Sequence, residues 1–128
     1  MASPEGWLSQ AIDAAGVAGY PLDAPEGLSP PYVIYGRSQT VRAPALDGTP
    51  GRPIGTFLID IYSDGYLAGK TLADTVRAAV NNFSGSAAGA TIQHTDMIDE
   101  ADGDLVYLEG RDRPTYLIQQ TLQITWEE

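Results

Sequence analysis

The stretch from Thr115 to Trp126 constrains the fold more than any other. Tyr116, Ile118, Leu122, Ile124 and Trp126 share one parity, and Leu117, Gln119, Thr121, Gln123 and Thr125 take the other. A period of two held this long is a β-strand with one dry and one wet face. Only Gln120 interrupts the apolar parity. A dry face needs neighbouring strands and a covering layer, so a sheet with helix packed against it is expected.

The rest of the chain supplies those parts. Ser3, Pro4 and Glu5 read as N-cap, first helical residue and dipole-favourable acid. Trp7, Leu8, Ala11, Ile12 and Ala15 then form one stripe before Gly16. Val17 to Pro31 reads as a proline-rich connector, and Tyr32 to Arg37 as a strand. Thr56 to Tyr62 alternates Phe57, Ile59 and Ile61 with Leu58, Asp60 and Tyr62, a second strand that pairs most simply with the first. Between them, residues 38–55 hold three prolines and the turn pair Asp47-Gly48, which predicts a long hairpin arm. Leu72, Val76, Ala79, Val80 and Phe83 predict a helix over about Tyr66 to Phe83, followed by a flexible small-residue link through Gly89. Thr91 to Ile98 predicts a further strand, and residues 99–112 an acidic loop. The expected fold is α+β, one domain over residues 1–128. It has a four-stranded mixed or antiparallel sheet, a helix across one face, a short N-terminal helix and a β-hairpin arm.

Charge and composition exclude several functions. Seven Lys+Arg against 17 Asp+Glu leave a net charge of -10, the wrong sign for gripping nucleic-acid phosphates or an anionic membrane. With no cysteine there is no disulfide, thiolate metal site or cysteine nucleophile. The opening MASPEGWLSQ lacks a basic leader and a long apolar run, so no secretory or transit segment is expected.

Three runs invite a chemical reading. Gly65-Tyr-Leu-Ala-Gly69-Lys70-Thr71 follows a strand and opens a helix, but three residues separate its glycines where a phosphate loop needs four, and Asp64 stands where the first glycine belongs. It is expected to be an ordinary helical first turn. The acids Asp99, Glu100, Asp102, Asp104 and Glu109 offer hard oxygen ligands, yet aligning Asp102-Gly103 with a calcium loop puts Ile98 on the first ligand position. No metal and no cofactor is expected. His94 and Asp96 can share a strand face near Ser84 or Ser86, but no G-x-S-x-G elbow is present, and no catalytic residue is assigned. A small hydrolase using His94 is the enzymatic alternative.

Charge is also segregated along the chain. Arg37, Arg42 and Arg52 against Asp47 make residues 37–52 net +2, so the remainder carries -12. A basic arm on an acidic body can dock on a copy of itself, and asymmetric complementarity of this kind builds closed head-to-tail rings. A monomeric binding module with a free loop is the other reading.

The motifs P-P-Y-V-I-Y-G-R, F-L-I-D-I-Y-S-D, T-V-R-A-A-V-N-N-F-S-G and Y-L-I-Q-Q-T-L-Q-I-T-W, in this order from about Leu8 to Trp126, resemble the tail terminator (tail completion) proteins of long-tailed bacteriophages. That group includes the lambda-like terminator and related prophage and gene-transfer-agent proteins. The resemblance implies a virion protein, made in the host cytoplasm. It implies a homo-hexameric ring that caps the tail tube protein, stops its polymerisation, meets the head connector or neck protein and lets DNA pass without specific binding. A head-completion neck adaptor is the neighbouring alternative. From charge and position, Arg37, Arg42 and Arg52 are expected at subunit contacts, and Asp99, Glu100, Asp102 and Asp104 at the lumen or the opposing subunit. No membrane partner is expected.

Overall fold

The computed structural model describes residues 4–23, 25, 29–42, 52–87, 89–107 and 114–127. Eight elements follow in order: α1 (Pro4–Ala14), β1 (Gly19–Pro21), β2 (Tyr32–Arg42), β3 (Pro53–Ser63), α2 (Tyr66–Val80), β4 (Gly85–Ala87), β5 (Ala90–Asp102) and β6 (Tyr116–Glu127). The class is α+β as expected, but the sheet has six strands, in the order β1-β2-β3-β6-β5-β4. It is mixed: β1 runs parallel to β2, and every other pair is antiparallel.

The two added strands are three residues each, and both lie where the sequence suggested irregular chain. Partner backbone makes them, not side-chain pattern. Gly19 to Pro21 pair with Val33 to Tyr35, and Gly85 to Ala87 pair with Ala90 to Ile92. Gly85 sits at φ 143°, a conformation open to glycine and not to side-chain-bearing residues.

One face of the sheet is dry. Phe57, Ile59 and Ile61 of β3, Ile118, Leu122 and Ile124 of β6, and Ile92 of β5 are buried beneath the helices. α2 packs on β3, β6 and β5, and α1 packs beside α2 and against β1 and β5. The stripe predicted for α1 points inward, with Trp7, Leu8 and Ile12 buried and Ala11 and Ala15 partly so. α2 stops at Val80, three residues short of Phe83, and Asn81 is already extended. The reason is Thr95, fully buried on β5. Its Oγ1 donates to the Val80 carbonyl (2.5 Å) and accepts from the Phe83 N–H (2.8 Å), while its own carbonyl accepts from the Asn82 N–H (2.9 Å). Phe83, freed from the helix, stacks on Trp7 with ring centroids 4.9 Å apart.

β2 and β3 pair as expected, but their ladder runs out past a bulge at Ser38 to Arg42 opposite Pro53, so both ends of the predicted arm are paired hairpin. Its Asp47-Gly48 tip lies outside the described residues. The acidic run is also corrected: β5 continues through Asp102 because β6 offers it backbone partners as far as Ile118. Asp99, Glu100 and Asp102 therefore stand on a strand, and just past it the Gly103 N–H still donates to the Leu117 carbonyl (2.8 Å) and Val106 bridges Thr115.

Candidate interaction surface

Each central strand is longer than the outermost strand beside it. β1 covers β2 only at Val33 to Tyr35, extended by the Leu22 N–H, which donates to the Tyr35 carbonyl. Among the described residues no strand lies beside β2 from Arg37 to Arg42. At the other side β4 covers β5 at Ala90 to Ile92, and the Asn81–Phe83 turn covers Thr95 and Met97. Among the described residues no strand lies beside β5 from Ile98 to Asp102. A strand edge left open presents a row of N–H and C=O groups able to pair with another chain.

The two edges differ in charge. Arg37 and Arg42 lie on β2, with Arg52 just before β3. Arg37 lies 4.8 Å from the Trp126 ring centroid and 5.4 Å from that of Phe57. Its guanidinium donates to both carboxylate oxygens of Glu5 on α1 and to Thr40 Oγ1 (3.1 Å), so much of its bonding ties α1 to the sheet. Arg42 is exposed at the end of the β2–β3 ladder. Arg52 is exposed and 3.5 Å from Glu127.

Strand alternation splits the acids between the two faces. Asp99 stands opposite Thr121 on the open face, with Asp96 opposite Gln123. Glu100 and Asp102 point to the helix side. Glu100 accepts from Arg77 Nη1 at 3.2 and 3.3 Å, and Arg77 also donates to Asp74 at 2.7 Å. Asp102 accepts from Lys70 Nζ (2.5 Å) and the Tyr66 hydroxyl (2.8 Å). The Lys70 hydrogen bond, then that of Tyr66, holds the Asp102 carboxyl below the usual aspartate range, and the same contact raises the Lys70 ammonium. Asp104 is exposed beyond the end of the strand.

Gln120, the interruption in the apolar parity, lies inside this network. Its Nε2 donates to the Ala73 carbonyl of α2 (2.9 Å) and to Glu100 Oε1 (2.6 Å), while its buried Oε1 has no partner. The signal was visible as a single polar residue on a dry parity. Its partners were not, because they come from a helix and a strand distant in sequence.

The open face carries the other parity. On β3 and β6 it presents Thr56, Leu58, Asp60, Gln119, Thr121 and Gln123. Asp60 is half-buried there; desolvation raises its carboxyl, partly offset by a hydrogen bond from Gln119. His94 and Asp96 share this face, exposed opposite Thr125 and Gln123. Ser86 lies on β4, its hydroxyl 3.4 Å from that of Thr91. The glycine-lysine run forms the start of α2, with Gly65 as extended N-cap and Lys70 committed to Asp102. Among the described residues no group of three or more His, Asp or Glu side chains is placed to hold a metal ion. No described helix is long and apolar enough to cross a membrane.

Residues 10–108 match the family model for tail completion protein gp17. The chain belongs to that family. This places it among the structural proteins of virion tails. One solved structure with the same fold is a chain from the virion of a native gene transfer agent particle. It is 20% identical with a TM-score of 0.61, and the alignment covers 94% of this chain and 84% of that one. A second solved structure is 12% identical with a TM-score of 0.55, covering 98% of this chain and 90% of its own. No curated protein matches the chain.

Proposed function

We propose that this protein is a tail terminator: a ring of identical subunits, six in number, that caps the tail tube, stops its growth, presents a surface to the head connector and lets DNA pass. The observation that carries the reading is a sheet with open edges of opposite charge in a member of a tail completion family. A surface that matches a different part of itself associates head to tail, and such contacts close into rings. In this reading Arg42 and Arg52 meet the neighbouring subunit from the end of the hairpin. Arg37 supports that hairpin through Glu5 and the rings beneath it. Asp99 and Asp104 face the lumen or the next subunit, and Glu100 and Asp102 support the same edge through Arg77 and Lys70. The net charge of -10 per copy suits a wall past which DNA must slide.

The test is tube growth. Purified tube protein is polymerised with and without this chain, and lengths are measured by negative-stain electron microscopy. Tubes of limited length, capped at one end, are expected, with a species near six copies by light scattering or on the tubes themselves. Tubes of unlimited length in its presence refute the proposal, and binding to purified connector but not to tube protein replaces it with the neck adaptor. The double variant R42E/R52E should lose assembly while unfolding within about 0.5 kcal/mol of the parent, as exposed substitutions do.

A further inference from the structure

We propose that the open face of the sheet holds a socket for one lysine or arginine side chain of another virion protein, its stem lying between Leu22, Ile34 and Leu58 and its charged head on the Asp60 carboxylate. The inference goes beyond the ring reading, and only the choice of a virion protein as the source rests on the family.

The hollow exists because a glycine sits among large residues. Ile34 stands opposite Asp60 and Gly36 opposite Leu58, all on the open face. Leu22 reaches over Gly36, where a Cβ would meet its Cδ2 at 2.7 Å. With no side chain at Gly36, these residues and Ser38 border a hollow of about 210 Å³ next to the edge of β2, room for one long side chain. Tyr35 and Arg37 also border it, but their side chains lie on the other face, Tyr35 in the core and Arg37 on Glu5.

The wall formed by Leu22 is held under strain. Leu22 has φ 65°, and the Asp23 N–H donates across it to the Pro21 carbonyl (2.7 Å), a γ-turn of the rare, strained kind. The Leu22 N–H donates to the Tyr35 carbonyl (2.8 Å), which fixes the residue beside Gly36. The leucine so held is 79% exposed, so folding gains little from its burial. Backbone strain kept where the fold gains so little points to a use outside the fold.

Asp60 decides what fits. It is the one carboxylate lining the hollow, it is half-buried, and desolvation raises it against a single hydrogen bond from Gln119. Among the described residues no ion pair reaches it. An apolar side chain seated here would bury that carboxylate further with no counter-charge, and a phosphate or an acid would be repelled. One carboxylate is too few for a dedicated divalent-cation site. Aliphatic walls that end in a carboxylate suit an aliphatic stem that ends in a cation. The surrounding charge agrees: β3, β5 and β6 contain no Lys or Arg, while Asp96 and Asp99 share the open face with Asp60. Gln119 and Thr121 flank the hollow on β6 with hydrogen-bonding groups, which a docked protein surface engages and a free polyamine does not.

The test follows amide NMR signals of the whole chain, with a blocked pentapeptide of four serines around a central arginine as the probe. Saturable shifts at Leu22, Gly36, Leu58 and Asp60 are expected at millimolar peptide. Citrulline in place of the arginine keeps the shape and removes the charge, and should weaken binding about fivefold or more, as should Asp60→Asn. Gly36→Ala puts a methyl group into the hollow and displaces Leu22. That variant should melt within about 2 °C of the parent and lose the shifts. Shifts spread over Asp96, Asp99 and Asp104 without favouring the hollow, or equal binding of the citrulline peptide or by Asp60→Asn, overturn the socket. Shifts at the hollow from spermidine, with none from the arginine peptide, overturn a protein source. In a second arm, purified tube and connector proteins are titrated onto the chain. Whichever binds should bind Asp60→Asn and Gly36→Ala about fivefold more weakly. Undiminished binding overturns the docking role and leaves the terminator reading standing. Binding of neither protein, with the peptide result intact, overturns the terminator reading and this choice of partner and leaves the socket standing. A dimer of the parent chain by light scattering that Asp60→Asn abolishes would seat a second copy in the hollow and overturn the choice of occupant.

Discussion

Replacing Thr95 by valine should destabilise the protein out of proportion to the atoms removed. The side chains are nearly isosteric and the site is fully buried, so packing is conserved. What is lost is the hydroxyl that closes the C-terminus of α2. The Val80 carbonyl loses its donor at 2.5 Å and the Phe83 N–H its acceptor at 2.8 Å. An orphaned buried polar group costs about 1–3 kcal/mol. The Phe83 bond is only partly buried, so water relieves part of its share, and the total expected for Thr95→Val is about 2–4 kcal/mol. Thr95→Ser keeps both bonds and gives up one methyl group, about 1 kcal/mol. Urea unfolding followed by circular dichroism measures both, with an unchanged denaturant slope indicating that stability alone has moved. At roughly 4 °C per kcal/mol for a chain of this size, Thr95→Val should melt about 8–16 °C lower. A valine variant within 0.5 kcal/mol of the parent, or a serine variant worse than the valine one, would refute the capping argument.

Four further outcomes are expected. A Cβ at Gly55 would meet the Trp126 ring at 2.9 Å and Phe57 at 3.0 Å, so Gly55→Ala should cost about 1–3 kcal/mol in urea titration. At Gly36 the close atom is the tip of the exposed Leu22, and Gly36→Ala should cost under about 0.5 kcal/mol in the same assay. The raised Asp60 carboxyl means the folded state holds that proton more tightly than the unfolded chain. Stability therefore falls as pH rises from the ordinary aspartate range through the raised value, and Asp60→Asn should flatten that part of a stability–pH profile. Asp102 is the opposite case: its lowered carboxyl adds stability above the ordinary aspartate range, lost as pH falls through the lowered value. Lys70→Met should move the Asp102 titration midpoint upward toward the ordinary range, by NMR.

Sequence alone determined the parts of the fold that repeat with a period. The β6 alternation, the β3 alternation and the helical stripes of α1 and α2 each place many side chains consistently, so no single neighbour decides them. The family resemblance rests on three of those segments, β3, α2 and β6, together with β2. The sequence could not reveal β1 and β4, whose three residues are strands only because a longer strand lies beside them. Nor could it end α2 at Val80, since the group responsible, Thr95, lies on another element. Tertiary structure also decided the acids: pairing with β6 extended β5 through Asp102, and strand alternation then sent Asp99 to the open face and Glu100 and Asp102 toward α2. Charge content is local and can be counted along the chain, but which face a charge serves depends on which strand lies next to it.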